Sequence, residues 1–216
     1  MKAAEIKVDY IDHMGDDLTV VNSARVSFDK RKEIFDEQDE RLIKYLATHN
    51  HWSPFAHTSV QFKVSAPIFV ARQLVKHQVG GVWNEVSRRY VSDEPTFYIP
   101  SVWRGKPAHS KQGSSDEIIE NVGIVDIMNE AIKKYNELLE QGVAPEMARM
   151  ILPQNMMTDW YWTGSLVFWE RVCKQRLDAH AQEETRTVAK QISDSCSMLF
   201  PVSWKYLLQN KNNNKE

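Results

Sequence analysis

Residues 57–65 set the first firm constraint, because Val60, Phe62 and Val64 alternate with Gln61, Lys63 and Ser65. Successive side chains of an extended chain point to opposite faces, so a period of two specifies a strand with one apolar and one polar face. A second period appears later. Ile118, Val122, Val125, Ile132, Tyr135 and Leu139 recur at helical spacing, which predicts the longest helix, beginning at Ser114 or Ser115 and closed by Gly142. Strands and long helices in one chain already point to a mixed fold.

The remaining segments follow the same logic. Residues 6–11 and 158–163 read as strands, the latter rich in aromatics. Helices are expected over 17–26, 39–48, 68–77, 145–152, 166–175, 180–199 and 201–208. Pro67 suits a first helical position, Gly80 and Gly81 end that helix, and Pro153 stops another. Residues 29–41 are dense in mixed charge, as a solvated helix face or loop would be. Three prolines make residues 94–107 irregular, with 97–99 extended. The tail QNKNNNKE, residues 209–216, is low-complexity and expected to be disordered. With no repeat or linker, residues 1–208 form one α+β domain.

Composition narrows the functional classes. A net charge of −2 offers no global field for nucleic acid or an anionic membrane, so anion recognition must be local. Cys173 and Cys196 are the only cysteines, which supports neither a disulfide framework nor a thiolate metal site and fits a reducing cytosol. The start, MKAAEIKVDY, has no signal-peptide stretch, and no run approaches membrane-spanning length. G-x-G-x-x-G, P-loop, H-E-x-x-H and G-x-S-x-G motifs are absent.

Three clusters can carry chemistry. HNHWSPFAH holds His49, His51 and His57; two of them would share a face if extended, as metal ligands do. No carboxylate lies in that stretch, however, and histidines beside Trp52 and Phe55 more often pack or hydrogen-bond. The run RQLVKHQVGGVWNEVSRRY places Arg72 with Lys76, and Gln73 with His77, four apart on a helix. Asn84, Glu85, Ser87, Arg88 and Arg89 follow the two glycines, a mixture suited to phosphate. It reads equally well as a solvated helix end and a charged turn. In the third cluster Arg149 leaves a largely apolar helix, either for a specific partner or for a buried salt bridge, and Arg176, Asp178 and His180 lie further on.

HWSPFAH, APIFVARQ, NEVSRRY with FYIP, RMILPQN, TDWYWTGSL and QRLDAHAQ occur in that order. Together they resemble the flavin-dependent thymidylate synthases, over about residues 20 to 205. The resemblance implies an α+β fold with a mainly antiparallel sheet flanked by long helices, and a homotetramer whose sites are shared between subunits around FAD. It implies methylation of dUMP, with methylenetetrahydrofolate as carbon donor and NADPH as electron source. By position it assigns His51, Ser53, Lys76, His77, Gln78, Glu85, Ser165 and Arg171 to the flavin side. Gln73, Lys76, Glu85, Ser87, Arg88, Arg89 and Arg149 fall on the dUMP side, and Arg176 polarises the uracil. The family signature is Arg-His-Arg, seven residues, then Ser; here it is Lys76-His77-Gln78, eight residues, then Ser87. Lys76 keeps a charge without the planar fork, and Gln78 has none.

Two other readings are open: a metal-dependent hydrolase on His49, His51 and His57, and an RNA-binding module on Arg88 and Arg89 with Trp83 and Tyr90. The acidic balance and the lack of a wider basic stripe count against RNA.

Overall fold

A computed structural model describes residues 1–91, 93–109 and 113–209, and its largest sheet is built around the alternating segment. Four strands run antiparallel in the order β2 (Lys7–Met14), β3 (Ser59–Pro67), β8 (Met157–Gly164) and β4 (Gly81–Glu85). The β3–β8 register pairs Phe62 with Trp162 and Val64 with Trp160 on one face, and Lys63 with Tyr161 on the other. All four residues of the first two pairs are buried, so the period of two in the sequence is the period of burial.

Helices α6 (Leu166–Arg176) and α7 (Glu183–Leu199) supply much of the cover on that face. Trp169 on α6 meets Trp162 and Phe62 edge-on at 5.0 and 5.1 Å, and its Nε1 donates to the Val60 carbonyl at 3.2 Å. Edge-to-face aromatic pairs add about 0.5–1.5 kcal/mol each beyond their buried area. Phe168 lies against Gly81 and Gly164, which pair across β4 and β8. A Cβ built on either would come within 2.4 Å of the ring, so both positions must be bare for α6 to approach the sheet.

The first helix meets the last described one. In α1 (Asp17–Arg25), capped by Asp16, the Asp17 carboxylate accepts from the Val202 and Ser203 amides at 2.9 and 2.8 Å. Those amides open α8 (Pro201–Gln209), whose first turn would otherwise leave them unpartnered. Beside α8 packs α2 (Glu37–Thr48).

A smaller core joins Phe97 and Met156 to Met128 and Ile132 of α4 (Val125–Glu140), against which α5 (Pro145–Ala148) packs. Here β1 (Lys2–Ala3) pairs with β5 (Thr96–Phe97) in parallel, and β6 (Trp103–Arg104) pairs with β7 (Ile118–Ile119).

The fold is therefore α+β with a mainly antiparallel sheet. Several boundaries differ from expectation. The helix expected from Ser114 begins only at Val125, because Asn121 has φ +59° and the preceding isoleucines pair as a strand. At 16 residues it is one shorter than α7. Strand β4 was not anticipated, and α3 (Ile68–Leu74) ends before His77. Most of the tail expected to be disordered lies outside the described residues, though Gln209 itself completes α8.

Candidate active site

Helix α3 follows β3 without a loop: Pro67 ends the strand and, at φ −67° and ψ 153°, serves as the helix cap, one place before the first helical position expected for it. Its first two amides, of Ile68 and Phe69, donate to the carbonyls of Met156 and Gln154. Thus anchored, α3 divides two groups of polar side chains. Ile68 and Arg72 face a large cleft, whereas Gln73 and the following His77 turn toward α6 and α7.

On the α6 side, Arg176 Nε donates to His77 Nε2 at 2.9 Å, and its Nη2 donates to the Gln73 carbonyl at 3.1 Å. A guanidinium has no acceptor, so His77 Nε2 must be the lone-pair nitrogen and the ring proton sits on Nδ1. Burial, then the charges of Arg176 and Arg171, push the His77 pKa down to about 4. The imidazole is neutral at pH 7. Burial also lowers the Arg176 pKa, although guanidinium stays cationic in neutral solution. The Gln73 carboxamide is held by Gln182 and, at 3.3 Å, by Thr185. From the middle of α6, Arg171 Nη2 donates to the Val79 carbonyl at 2.8 Å.

The cleft on the other side has a volume of about 1060 Å³ and is lined by Arg72, Glu85, Arg88, Arg149 and Thr158 among others. Glu85 closes β4, with its carboxylate accepting from Thr158 Oγ1 at 2.8 Å and Trp83 Nε1 at 3.3 Å. Ser87 Oγ accepts from Arg89 Nε at 3.0 Å, which pairs a hydroxyl with a guanidinium in an exposed position. Arg88 donates to the Asp93 carbonyl, and Arg149 Nε to the Glu146 carbonyl at 3.3 Å.

One property unites both groups. Among the described residues, none of Arg72, Arg88, Arg89, Arg149, Arg171 and Arg176 forms an ion pair with a carboxylate, nor do Arg31 and Arg41 elsewhere, whereas Arg25, Arg104 and Arg186 do. Arg72, Arg88 and Arg149 line the cleft, whereas Arg171 and Arg176 lie on the α6 side; guanidiniums free of carboxylate partners can donate to a phosphate or a polarised carbonyl.

The histidine turn lies apart. His49 caps α2 with its ring tilted 31° against Tyr45 at 4.1 Å, Asn50 takes φ +56°, and the His49 and His51 rings are 6.3 Å apart. His57 lines a different hollow, with Lys30 and Arg31. Among the described residues no group of three His, Cys, Asp or Glu side chains could hold a metal ion, which leaves the hydrolase reading without geometric support. Trp83 stacks on Trp160 at 4.3 Å and so is turned to the core rather than offered to a nucleobase. No described helix is long and apolar enough to cross a membrane.

A family model described as thymidylate synthase complementing protein matches residues 9–202. The chain belongs to the flavin-dependent thymidylate synthases. It is 39% identical over 197 residues to a flavin-dependent thymidylate synthase of Thermus thermophilus, covering 90% of this chain and 72% of that protein. To the Thermotoga neapolitana enzyme of the same name it is 39% identical over 204 residues, or 92% of this chain and 91% of the relative. A solved UMP/dUMP methylase, PolB from Streptomyces cacaoi bound with 5-Br dUMP, superposes with a TM-score of 0.81 at 29% identity, covering 95% and 96% of the two chains.

For a flavin-dependent thymidylate synthase the residues expected from sequence are brought together only in parts. Gln73, His77, Arg171 and Arg176 converge on one side of α3; Glu85, Arg88 and Arg149 share the cleft on the other. Ser165 caps α6, accepting from the Phe168 amide, while Ser53, Lys76 and Gln78 are exposed. Sequence reasoning placed Arg72 in a polar helix row without assigning it to flavin or dUMP, although it lines the cleft, and gave no role to Gln182, Thr185 and Thr158, which orient Gln73 and Glu85. Gln182 closes the QRLDAHAQ block and was the one signal available.

Proposed function

We propose that the protein methylates dUMP to dTMP reductively, using FAD, with methylenetetrahydrofolate as carbon donor and NADPH as electron source. The observation that carries this reading is the set of arginines without carboxylate partners on both sides of α3, in a chain of this family. Those residues fit a phosphate-bearing flavin dinucleotide and a nucleotide substrate. His51, Ser53, Lys76, His77, Gln78, Glu85, Ser165 and Arg171 would hold the cofactor. When bound, the flavin supplies the hydride.

The chain's own residues do the rest. Arg176, fixed by His77 and the Gln73 carbonyl, offers its remaining N–H groups to negative charge developing on the uracil ring. Neutral His77 accepts from Arg176 without adding a competing cation. Ser87, Arg89 and Arg149 take the dUMP phosphate, with Gln73, Lys76, Glu85 and Arg88 about the nucleoside. The two groups lie on opposite sides of α3, which supports sites shared between subunits, and we assign the protein to the homotetramer that the family resemblance implies.

Anaerobic mixing of FAD-loaded protein with NADPH, dUMP and methylenetetrahydrofolate should yield dTMP, from a species of tetrameric mass in light scattering. Absence of both FAD binding and dTMP would refute the reading; a catalytically active monomer would refute only the shared site.

Loss of one charged hydrogen bond is worth about 1.5–3 kcal/mol. Arg89→Ala and Arg149→Ala should therefore each weaken dUMP binding by roughly 10- to 150-fold. Calorimetric titration reads this directly, and deoxyuridine binding to the parent as tightly as dUMP would contradict the phosphate assignment.

Neither thiol has a chemical role. Cys173 and Cys196 are fully buried, and burial first of all pushes both pKa values up, away from thiolate. Cys173→Ser with Cys196→Ala should keep dTMP formation within a few-fold of the parent, with some lost stability from the altered core. A folded but inactive double variant would require a cysteine mechanism instead.

A further inference from the structure

A second cavity, of about 460 Å³, lies between α3, β6, α4 and the start of α7, and shares no lining residue with the larger cleft. None of its residues is assigned above to flavin or dUMP. Its wall is mostly apolar: Phe69 and Tyr98 meet edge-on with ring centroids 6.3 Å apart, and Trp103 and Met128 stand with them. A hollow of a few hundred cubic ångströms with apolar walls and few polar groups is the usual form of a small-molecule site. Two charged residues line it, Arg104 and Glu184. Arg104 is fully committed. Its Nε donates to Ser114 Oγ at 2.9 Å, its Nη2 to Glu184 Oε1 at 2.7 Å, and its Nη1 pairs with Glu183 at 3.0 Å. Glu184 is not. Its side chain is only 5% exposed, and Oε2 is buried without a hydrogen-bond partner among the described residues. Burial alone would raise its pKa, yet the hydrogen bond from Arg104 outweighs it and holds the group below its ordinary value, so it is a carboxylate at neutral pH. The phenol of Tyr98 feels that charge, its pKa being raised first by burial and then by Glu184.

An ionised oxygen buried without a donor is costly, and a ligand that brings an N–H to it removes the cost. Aromatic rings around the same space attract a desolvated cation through their faces. We propose that this cavity is a further ligand site, for a small aromatic cation whose N–H group meets Glu184 Oε2 and whose ring lies against Phe69, Tyr98 and Trp103. Charge then sets the selectivity: a cation is preferred to a neutral compound of the same shape, and an anion is rejected. Gln182 also lines the cavity and holds the Gln73 carboxamide, so the site adjoins the Arg176 network without belonging to it.

The test is a calorimetric titration of the full-length protein with three indoles of similar shape: tryptamine, a cation; tryptophol, which is neutral; and indole-3-acetate, an anion. Each is titrated with and without saturating FAD and dUMP. Tryptamine should bind in both conditions, about 10- to 150-fold more tightly than tryptophol, which is the worth of one charged hydrogen bond. Indole-3-acetate should not bind measurably. Glu184→Gln keeps the shape and should erase the preference for tryptamine. Trp103→Leu leaves Glu184 intact and removes one aromatic wall, so it should weaken tryptamine and tryptophol alike, roughly 2- to 10-fold; it decides the matter if Glu184→Gln does not fold. Equal affinity of the parent for tryptamine and tryptophol overturns the proposal. So does displacement of tryptamine by FAD or dUMP, a preference that survives in Glu184→Gln, or unchanged binding in Trp103→Leu.

Discussion

Replacing Arg176 by alanine is expected to leave a folded protein that binds FAD and turns over roughly 10²–10³-fold more slowly, the loss typical of one preorganised donor. Arg176 ends α6 and is half-buried, with its Nε on His77 and one Nη2 hydrogen on the Gln73 carbonyl. These two bonds fix the plane of the guanidinium before substrate arrives, so no reorganisation is needed when charge develops on the uracil. Folding should survive, because the residue is no member of the hydrophobic core and its loss leaves His77 and a carbonyl within reach of water. An interaction made only in the transition state lowers kcat and kcat/KM equally, which distinguishes this role from simple dUMP binding. Steady-state kinetics with a dTMP product assay, beside a flavin absorbance titration, supply both readings. A variant with normal turnover, or one whose only defect is lost FAD, would remove Arg176 from the chemistry.

How much of this was visible in the sequence depended on whether a signal was local. Strands β3 and β8 and helices α6, α7 and α8 follow from alternation and helical spacing, because one face of each is buried against the same core. Strand β4 is different: Gly81 to Glu85 looks like a polar turn, and becomes a strand only because Gly81 pairs with Gly164 beneath Phe168. That contact joins residues more than eighty positions apart. Ile118 and Val122 fit a helical period by coincidence, and a left-handed Asn121 between them breaks it. The site divides in the same way. Gln73, His77, Glu85 and Arg176 stand in recognisable blocks, but the groups that orient Gln73 and Glu85, namely Gln182, Thr185 and Thr158, become neighbours only through the sheet and α7.

The largest loss of stability should come far from that chemistry, at Asp39. It is fully buried near the start of α2, where its carboxylate meets Arg25 and, at 2.8 Å, Lys32, and accepts from the Asp36 amide at 2.9 Å. Burial alone would raise its pKa, yet the hydrogen bonds from Lys32, the Asp36 amide and Arg25 outweigh it and hold the carboxyl below its ordinary value. Asp39→Asn keeps the shape and deletes the charge, leaving Arg25 largely buried without its partner. Removing one member of a buried pair costs roughly 3–5 kcal/mol; both cations here keep some exposure, so about 3 kcal/mol is expected. For a chain of this size that is a melting temperature lower by roughly 6–12 °C. The pH dependence carries its own sign. A carboxyl with a depressed folded pKa contributes stability in full above its unfolded value of about 3.9, and loses it as pH falls through the folded value. The gap between parent and variant should therefore be constant above about pH 5 and should narrow below about pH 4. Helix α2 is 12 residues long, about 18 Å, and Asp39 lies near the end opposite the His49–His51 turn. Turnover of the folded variant should accordingly stay within a few-fold of the parent, the reverse of Arg176→Ala. Thermal melts from pH 3 to 8 check the first expectation and kinetics at 25 °C the second. A gap that widened on acidification would mean that Asp39 is held protonated, and the network around it would have to be redrawn.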